Sequence, residues 1–265
     1  VPDLRQGSHA LFAAVRNGVV TRKPGRYVLI QQSISENLER VRERIASAAI
    51  TAGRNPADVT LIAVSKTKPA EDVLAALAAG QRHFGENYVQ EAVAKIEAVA
   101  RSAAVRELSP DGLPVWHFIG AIQTNKTRDL ATHFDWVHTV SREKVARRLN
   151  DARSPHAPLN VCLQINVDGD PNKAGVPPDA ASELLAACSG FDRLAVRGLM
   201  TILDPRTEPA SGYQRLRECF EALAPEAPES WDTLSMGMSG DYPLAIAAGA
   251  TMIRVGTAIF GARQR

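Results

Sequence analysis

A lysine that closes an apolar run is the first residue here with the makings of chemistry. In "LIAVSKTKPA", Leu61 to Val64 reads as a buried strand, and Lys66 follows two residues later. Side chains alternate along a strand, so Ile62, Val64 and Lys66 share one face. An amine beside apolar walls is costly to keep charged. Its pKa falls, and it becomes a nucleophile suited to Schiff-base formation with an aldehyde. The competing reading is a lysine snorkelling from a strand end into water. Lys68, beyond the strand end, has opposite surroundings and reads as solvated.

Two further stretches offer an anion site. "TLSMGMSGDYPLAI" ends a strand near Met236-Gly237 and leads through Ser239 and Gly240 into a helix. Backbone N–H groups at such a junction bind phosphate, and Ser239 adds a hydroxyl. The plainer reading makes Ser239 only an N-cap. "MIRVGTAIFG" ends a strand at Val255, where Gly256 permits close backbone approach and Thr257 offers a donor. Arg254 lies inside that last strand, where a buried guanidinium needs an acceptor. A core carboxylate would serve; so would the ring nitrogen of a pyridine cofactor. An amine for an aldehyde, a cup for phosphate and an arginine for a ring nitrogen together match pyridoxal 5'-phosphate (PLP).

These residues need a scaffold that brings them to one place. Apolar runs at 59–65, 82–85, 115–120, 136–140, 160–167, 194–202, 233–237 and 252–256 read as strands. Helical patterns fall between them, near 70–79, 87–104, 124–133, 142–151, 178–189, 210–224 and 241–248. Eight alternating units predict an α/β fold, a single-domain (β/α)8 TIM-type barrel whose site lies at the C-terminal strand ends. An open doubly wound sheet is the alternative, but no Rossmann glycine fingerprint follows the first strand. Ahead of the barrel, Ser33 and Glu36 form a capping box, and Ile34, Leu38, Val41, Ile45 and Ala49 recur at helical spacing. Little chain follows the eighth strand, so this N-terminal helix is expected to fill the gap in the outer ring. The expected division is an irregular basic appendage over 1–32 and the barrel over 33–265. The appendage holds five basic residues against one aspartate.

The chain as a whole narrows the function classes. It has 265 residues, 45% of them hydrophobic, and a net charge of +2. That charge implies no pull toward nucleic acid. No run of about 18 apolar residues suggests a membrane span, and no secretory pattern is read at the start. Cys162, Cys188 and Cys219 are odd in number and far apart, so neither a disulfide framework nor a zinc site is expected. A reducing cytoplasm is the expected setting, and no metal is expected.

The sequence resembles the PLP homeostasis protein family, whose fold is like the barrel domain of alanine racemase. The resemblance rests on "AVSKTKP", "FGENYVQE", "WHFIG", "QTNK", "RGLMTI", "LSMGMSGDY" and "RVGTAIFGAR", in order across about residues 33–263. It implies that Lys66 holds PLP as a Schiff base. It implies Ser239, Gly240, Gly256 and Thr257 on the phosphate and Arg254 on the pyridine nitrogen, with Asn87 and Met200 beside the cofactor. Lys173 would have a secondary role; a solvated loop lysine is the alternative. His117 would line the barrel interior or be an ordinary core histidine. The implied function is to buffer or deliver PLP, with PLP-dependent apoenzymes as recipients and no established catalysis; with no second domain expected, a monomer is expected. In alanine racemase one proton-transfer tyrosine comes from a second domain of a partner subunit, and no such domain is expected here. Tyr88 and Tyr242 read as packing residues at helix starts. A PLP-dependent racemase or lyase with a barrel-only site is the alternative, and a sugar aldolase using Lys66 is a third reading.

Overall fold

The computed structural model describes residues 26–106, 112–153, 157–171 and 173–262. Eight parallel strands close into a barrel in sequence order: β1 (Thr60–Val64), β2 (His83–Glu86), β3 (Val115–Phe118), β4 (Trp136–Val140), β5 (Leu159–Gln164), β6 (Leu194–Met200), β7 (Thr233–Met238) and β8 (Met252–Val255). Closure is made by β1 against β8, with Ile62 opposite Arg254. Short apolar runs between helical periods encode this, because a parallel strand is covered on both faces.

Alternation sorts the side chains into two cores. Ile62, Trp136, Cys162, Met200 and Met252 pack together inside the barrel. A much larger cluster fills the space between barrel and helices. Gly85 belongs to the inner face: a Cβ there would lie 2.9 Å from Ile62 Cγ2 and 3.1 Å from Ile119 Cδ1. The missing side chain leaves room for those two isoleucines.

The first helix, α1 (Arg26–Thr51), fills the eighth place in the outer ring. It packs against α2 (Ala70–Ala78), α9 (Tyr242–Ala247) and α10 (Thr257–Phe260). Its stripe of Ile34, Leu38, Val41, Ile45 and Ala49 is buried as the spacing predicts. Burying each large aliphatic side chain contributes about 1.5–3 kcal/mol. Two polar ties fix it to the last strand's surroundings: Asn37 Nδ2 donates to the Ile259 carbonyl at 2.9 Å, and Arg54 donates to the Ile246 and Ala250 carbonyls at 2.8 and 2.7 Å. Gly53, with φ 68°, ends the helix.

The helix begins at Arg26, so Ser33 lies within it and is not its N-cap. Pro24 and Gly25 immediately precede Arg26, and no helix breaker stands between Arg26 and Ser33. The capping-box pattern at Ser33 was therefore only a local signal. Residues 1–25, which carry most of the basic appendage, lie outside the described residues. The remaining helices are α3 (Val89–Ala100), α4 (Ala103–Arg106), α5 (Thr127–His133), α6 (Glu143–Ala152), α7 (Ala181–Ser189) and α8 (Pro209–Leu223). Among the described residues no helix is long and apolar enough to cross a membrane, and no cluster could hold a metal.

Candidate functional site

Strand β1 ends at Val64, and the next three residues form a bend held from below. Ser65 is fully buried, and its hydroxyl donates to Glu86 Oε1 at 2.7 Å. The Lys95 ammonium, from α3, donates to the Ser65 carbonyl at 2.7 Å, to Glu86 Oε1 at 2.7 Å and to Glu91 Oε1 at 3.0 Å. Glu91 also accepts from the Thr67 N–H at 2.6 Å. Burial pushes the Glu86 carboxyl above its ordinary range, while Lys95 and the Ser65 hydroxyl pull it back. Glu86 Oε2 has no hydrogen-bond partner among the described residues.

This network holds a strained backbone. Thr67 sits at φ 63°, the one non-glycine residue with positive φ among the described residues. A β-branched residue there is an outlier costing about 1–3 kcal/mol. Lys66 lies between Ser65 and Thr67 and is half-buried. Its neighbours are therefore fixed on both sides, one by burial and one by Glu91. Lys68 is not solvated: its ammonium donates to the Phe260 and Ala262 carbonyls at 2.8 and 3.1 Å, ordering the chain that follows β8.

The end of β8 lies against this bend. A Cβ on Gly256 would be 3.1 Å from the Val64 carbonyl, so the two segments lie in close contact. Gly256 is half-buried, and Thr257 is exposed. At the end of β7, Ser239 is half-buried and Gly240 exposed. Ser239 is not the N-cap of the helix that follows. Asp241 occupies that position, and its carboxylate accepts from the Met238 N–H at 2.6 Å instead of capping the helix. The Ser239 side chain therefore has no capping duty.

Deeper in the barrel, Arg254 is 4% exposed. Among the described residues no carboxylate forms an ion pair with it. Its guanidinium donates to Ser235 Oγ at 2.9 Å and to the Thr201 carbonyl at 2.8 Å. Burial opposes its charge; Tyr213 and Asp241 act to raise its pKa. The guanidinium has five N–H donors, so donors remain beyond these two bonds. Met200, at the end of β6, is fully buried in the interior cluster.

Asn87 follows β2 in the same ring of strand ends. Its Oδ1 is buried without a hydrogen-bond partner among the described residues. Gly120 makes its position possible: a Cβ there would lie 2.1 Å from the Asn87 carbonyl. His117 is fully buried within the barrel. Tyr242 packs as read, at 1% exposed, but Tyr88 is 54% exposed and does not pack. Lys173 is half-buried and paired, donating to Asp168 Oδ2 at 3.3 Å and to the Ile202 carbonyl at 3.2 Å. A cavity of about 420 Å³ beside it is lined by Asp168, Asp170, Pro171, Asp204, Arg206 and Thr207. None of the residues singled out at the other strand ends borders it.

The profile of the alanine racemase N-terminal domain family matches residues 32–264. The chain belongs to that family. Among relatives, it is 49% identical over 235 residues to the pyridoxal phosphate homeostasis protein of Escherichia coli strain K12, covering 87% of this chain and 97% of that one. It is similar to the solved structure of PipY from Synechococcus elongatus PCC7942 with PLP bound, at 38% identity and TM-score 0.71, covering 86% of this chain and 100% of that one. Alanine racemase from Corynebacterium glutamicum shares the fold at 16% identity and TM-score 0.60, with 88% of this chain and 62% of the racemase covered.

Proposed function

We propose that this chain binds PLP through a Schiff base on Lys66 and buffers or delivers it in vitamin B6 homeostasis. It does so as a monomer, with PLP-dependent apoenzymes as recipients and without turning over amino acids. The observation that carries the reading is the packing of Gly256 against Val64. It sets the β8 turn beside the strand end that bears Lys66. The E. coli relative is named a pyridoxal phosphate homeostasis protein, and PipY was solved with PLP bound.

The residues present fit the cofactor. The buried, unpartnered Asn87 Oδ1 is a polar atom in want of a ligand, and Arg254 keeps donors in reserve. Lys66 would hold the cofactor through its side-chain amine, the aldehyde oxygen being released as water. Arg254 would donate to the ring nitrogen, and Met200 would lie beside the ring. Ser239, Gly240, Gly256 and Thr257 would take the phosphate with hydroxyls and backbone N–H groups. When bound, PLP supplies an electrophilic aldehyde and a conjugated ring. A permanent cation at the ring nitrogen keeps that nitrogen unprotonated, which weakens the ring as an electron sink and favours carriage over carbanion chemistry.

Two measurements test this. Purified protein given PLP should develop a visible Schiff-base band, and borohydride should fix the pyridoxyl group on Lys66. A panel of D- and L-amino acids should then show no sustained conversion. Turnover at enzyme-like rates would overturn the carrier reading and leave a barrel-only racemase or lyase.

A further inference from the structure

Four polar side chains cross the barrel interior in single file and end on Arg254. His83 Nδ1 lies 2.9 Å from His117 Nε2, and His117 Nδ1 lies 2.9 Å from His138 Nε2. His138 Nδ1 lies 2.8 Å from Ser235 Oγ, which accepts from Arg254 at 2.9 Å. His117, His138 and Ser235 are fully buried. His83 is half-buried and borders a cavity of about 520 Å³ at the N-terminal ends of β1 and β2.

The direction of this chain follows from counting hydrogens. Arg254 has no acceptor, so Ser235 Oγ must accept from it. If His138 also donated to Ser235, the serine hydrogen would have no acceptor among the described residues. Ser235 therefore donates to His138 Nδ1. His138 then carries its hydrogen on Nε2 and donates to His117 Nδ1; His117 does the same toward His83 Nδ1. Every ring-nitrogen lone pair in the file is used, and each imidazole is neutral.

We infer that Ser235, His138, His117 and His83 are positioning residues for Arg254. They form a one-way hydrogen-bond chain that holds the guanidinium toward the mouth of the barrel, where a pyridine nitrogen would meet it. The inference rests on the proposed role of Arg254 above. Each donated hydrogen points away from Arg254, so the negative ends of the dipoles face the cation. Hydrogen-bonded files polarise one another, strengthening each bond by about 10–30%. A buried guanidinium is thus stabilised without a carboxylate that could compete for it. Burial also keeps the file uncharged: it lowers the pKa of His83, drives His117 well below the ordinary range and brings His138 to about 3.

The test has one arm on the cofactor-free protein and one on the PLP-loaded protein. Histidine-labelled apo protein should give 15N spectra of Nε2–H tautomers for His117 and His138, unchanged between about pH 5.5 and 8. In His83→Phe, His117 Nε2–H loses its acceptor; in His83→Gln, an amide oxygen replaces that acceptor. PLP affinity, read from the Schiff-base band, should fall about threefold to tenfold in His83→Phe and in Ser235→Ala, with a shifted band maximum. His83→Gln should stay within about twofold of wild type, since it restores the bond. Nδ1–H or protonated imidazoles in the wild type would overturn the chain. Wild-type affinity and band position in both Ser235→Ala and His83→Phe would overturn its positioning role. Failure of wild type to take up PLP on Lys66 would overturn the functional reading instead; the apo spectra judge the chain separately.

Discussion

Lys95→Met should be the most damaging single change outside the cofactor groups. The Lys95 ammonium is the sole cation bonded to Glu86 among the described residues, and it donates to three oxygens within 3.0 Å. Glu86 is fully buried, and its second oxygen is already unpartnered. Removing Lys95 leaves that carboxylate with only the Ser65 hydroxyl. Breaking one side of a buried pair costs about 3–5 kcal/mol. For a domain of this size, each kcal/mol is worth about 2–4 °C, so Tm should fall by about 6–20 °C at pH 7. Adding Glu86→Gln should recover most of the loss, because a neutral amide has no charge to leave unpaired. The loss should also shrink at pH 5, because an orphaned, buried Glu86 takes up a proton more readily than one paired with Lys95. Thermal and urea unfolding of the two single variants and the double at both pH values give the coupling energy. A loss below about 1 kcal/mol at pH 7, or an equal loss at both pH values, would refute the reasoning. Affinity for PLP should fall with stability, since the same ammonium holds the bend beside Lys66.

Wild-type stability should carry the signature of Glu86. Its folded pKa is raised above the ordinary 4.5, so the unfolded chain releases its proton first. Relative to Glu86→Gln, the wild type should lose stability as pH rises from 4.5 toward the folded value and then level off; a flat difference in urea titrations would contradict this. Gly120→Ala should displace Asn87, given the 2.1 Å approach, and weaken PLP binding about tenfold or more with the Lys66 linkage intact; unchanged affinity would argue against Asn87 at the cofactor. Thr67→Gly removes the left-handed strain but loosens the unfolded chain, so Tm should hold or rise by a few degrees while PLP binding weakens; a large fall in Tm would show that the φ of 63° is not strained.

The eight strands were legible because each is a short apolar run between helical periods, and parity alone turned Ile62 and its β8 neighbour Arg254 to one side. The stripe of α1 was legible for the same reason, although its start was not. The network under Lys66 was not readable. Lys95 stands 30 residues from Ser65 on an amphipathic helix, where a lysine looks solvated; only the crossing of α3 over the end of β1 buries it. Lys68 misled similarly, because its carbonyl partners lie 192 and 194 residues away. The histidine file left a faint signal: His117 shares parity with inward-facing Val115, and His138 with Trp136. Their meeting needs the closed barrel, which brings β2, β3, β4, β7 and β8 around one axis. The sequence left the partner of Arg254 open between a core carboxylate and a pyridine nitrogen; among the described residues the Ser235 hydroxyl and the Thr201 carbonyl stand where a carboxylate would.

The central claim is that Lys66 holds the cofactor. The most direct measurement is borohydride reduction of the PLP-treated protein, followed by peptide mass mapping and a visible spectrum before and after. The account predicts a yellow band that reduction abolishes, with one pyridoxyl adduct on the peptide bearing Lys66. A colourless protein that takes up no PLP, or an adduct confined to Lys68 or Lys173, would contradict it.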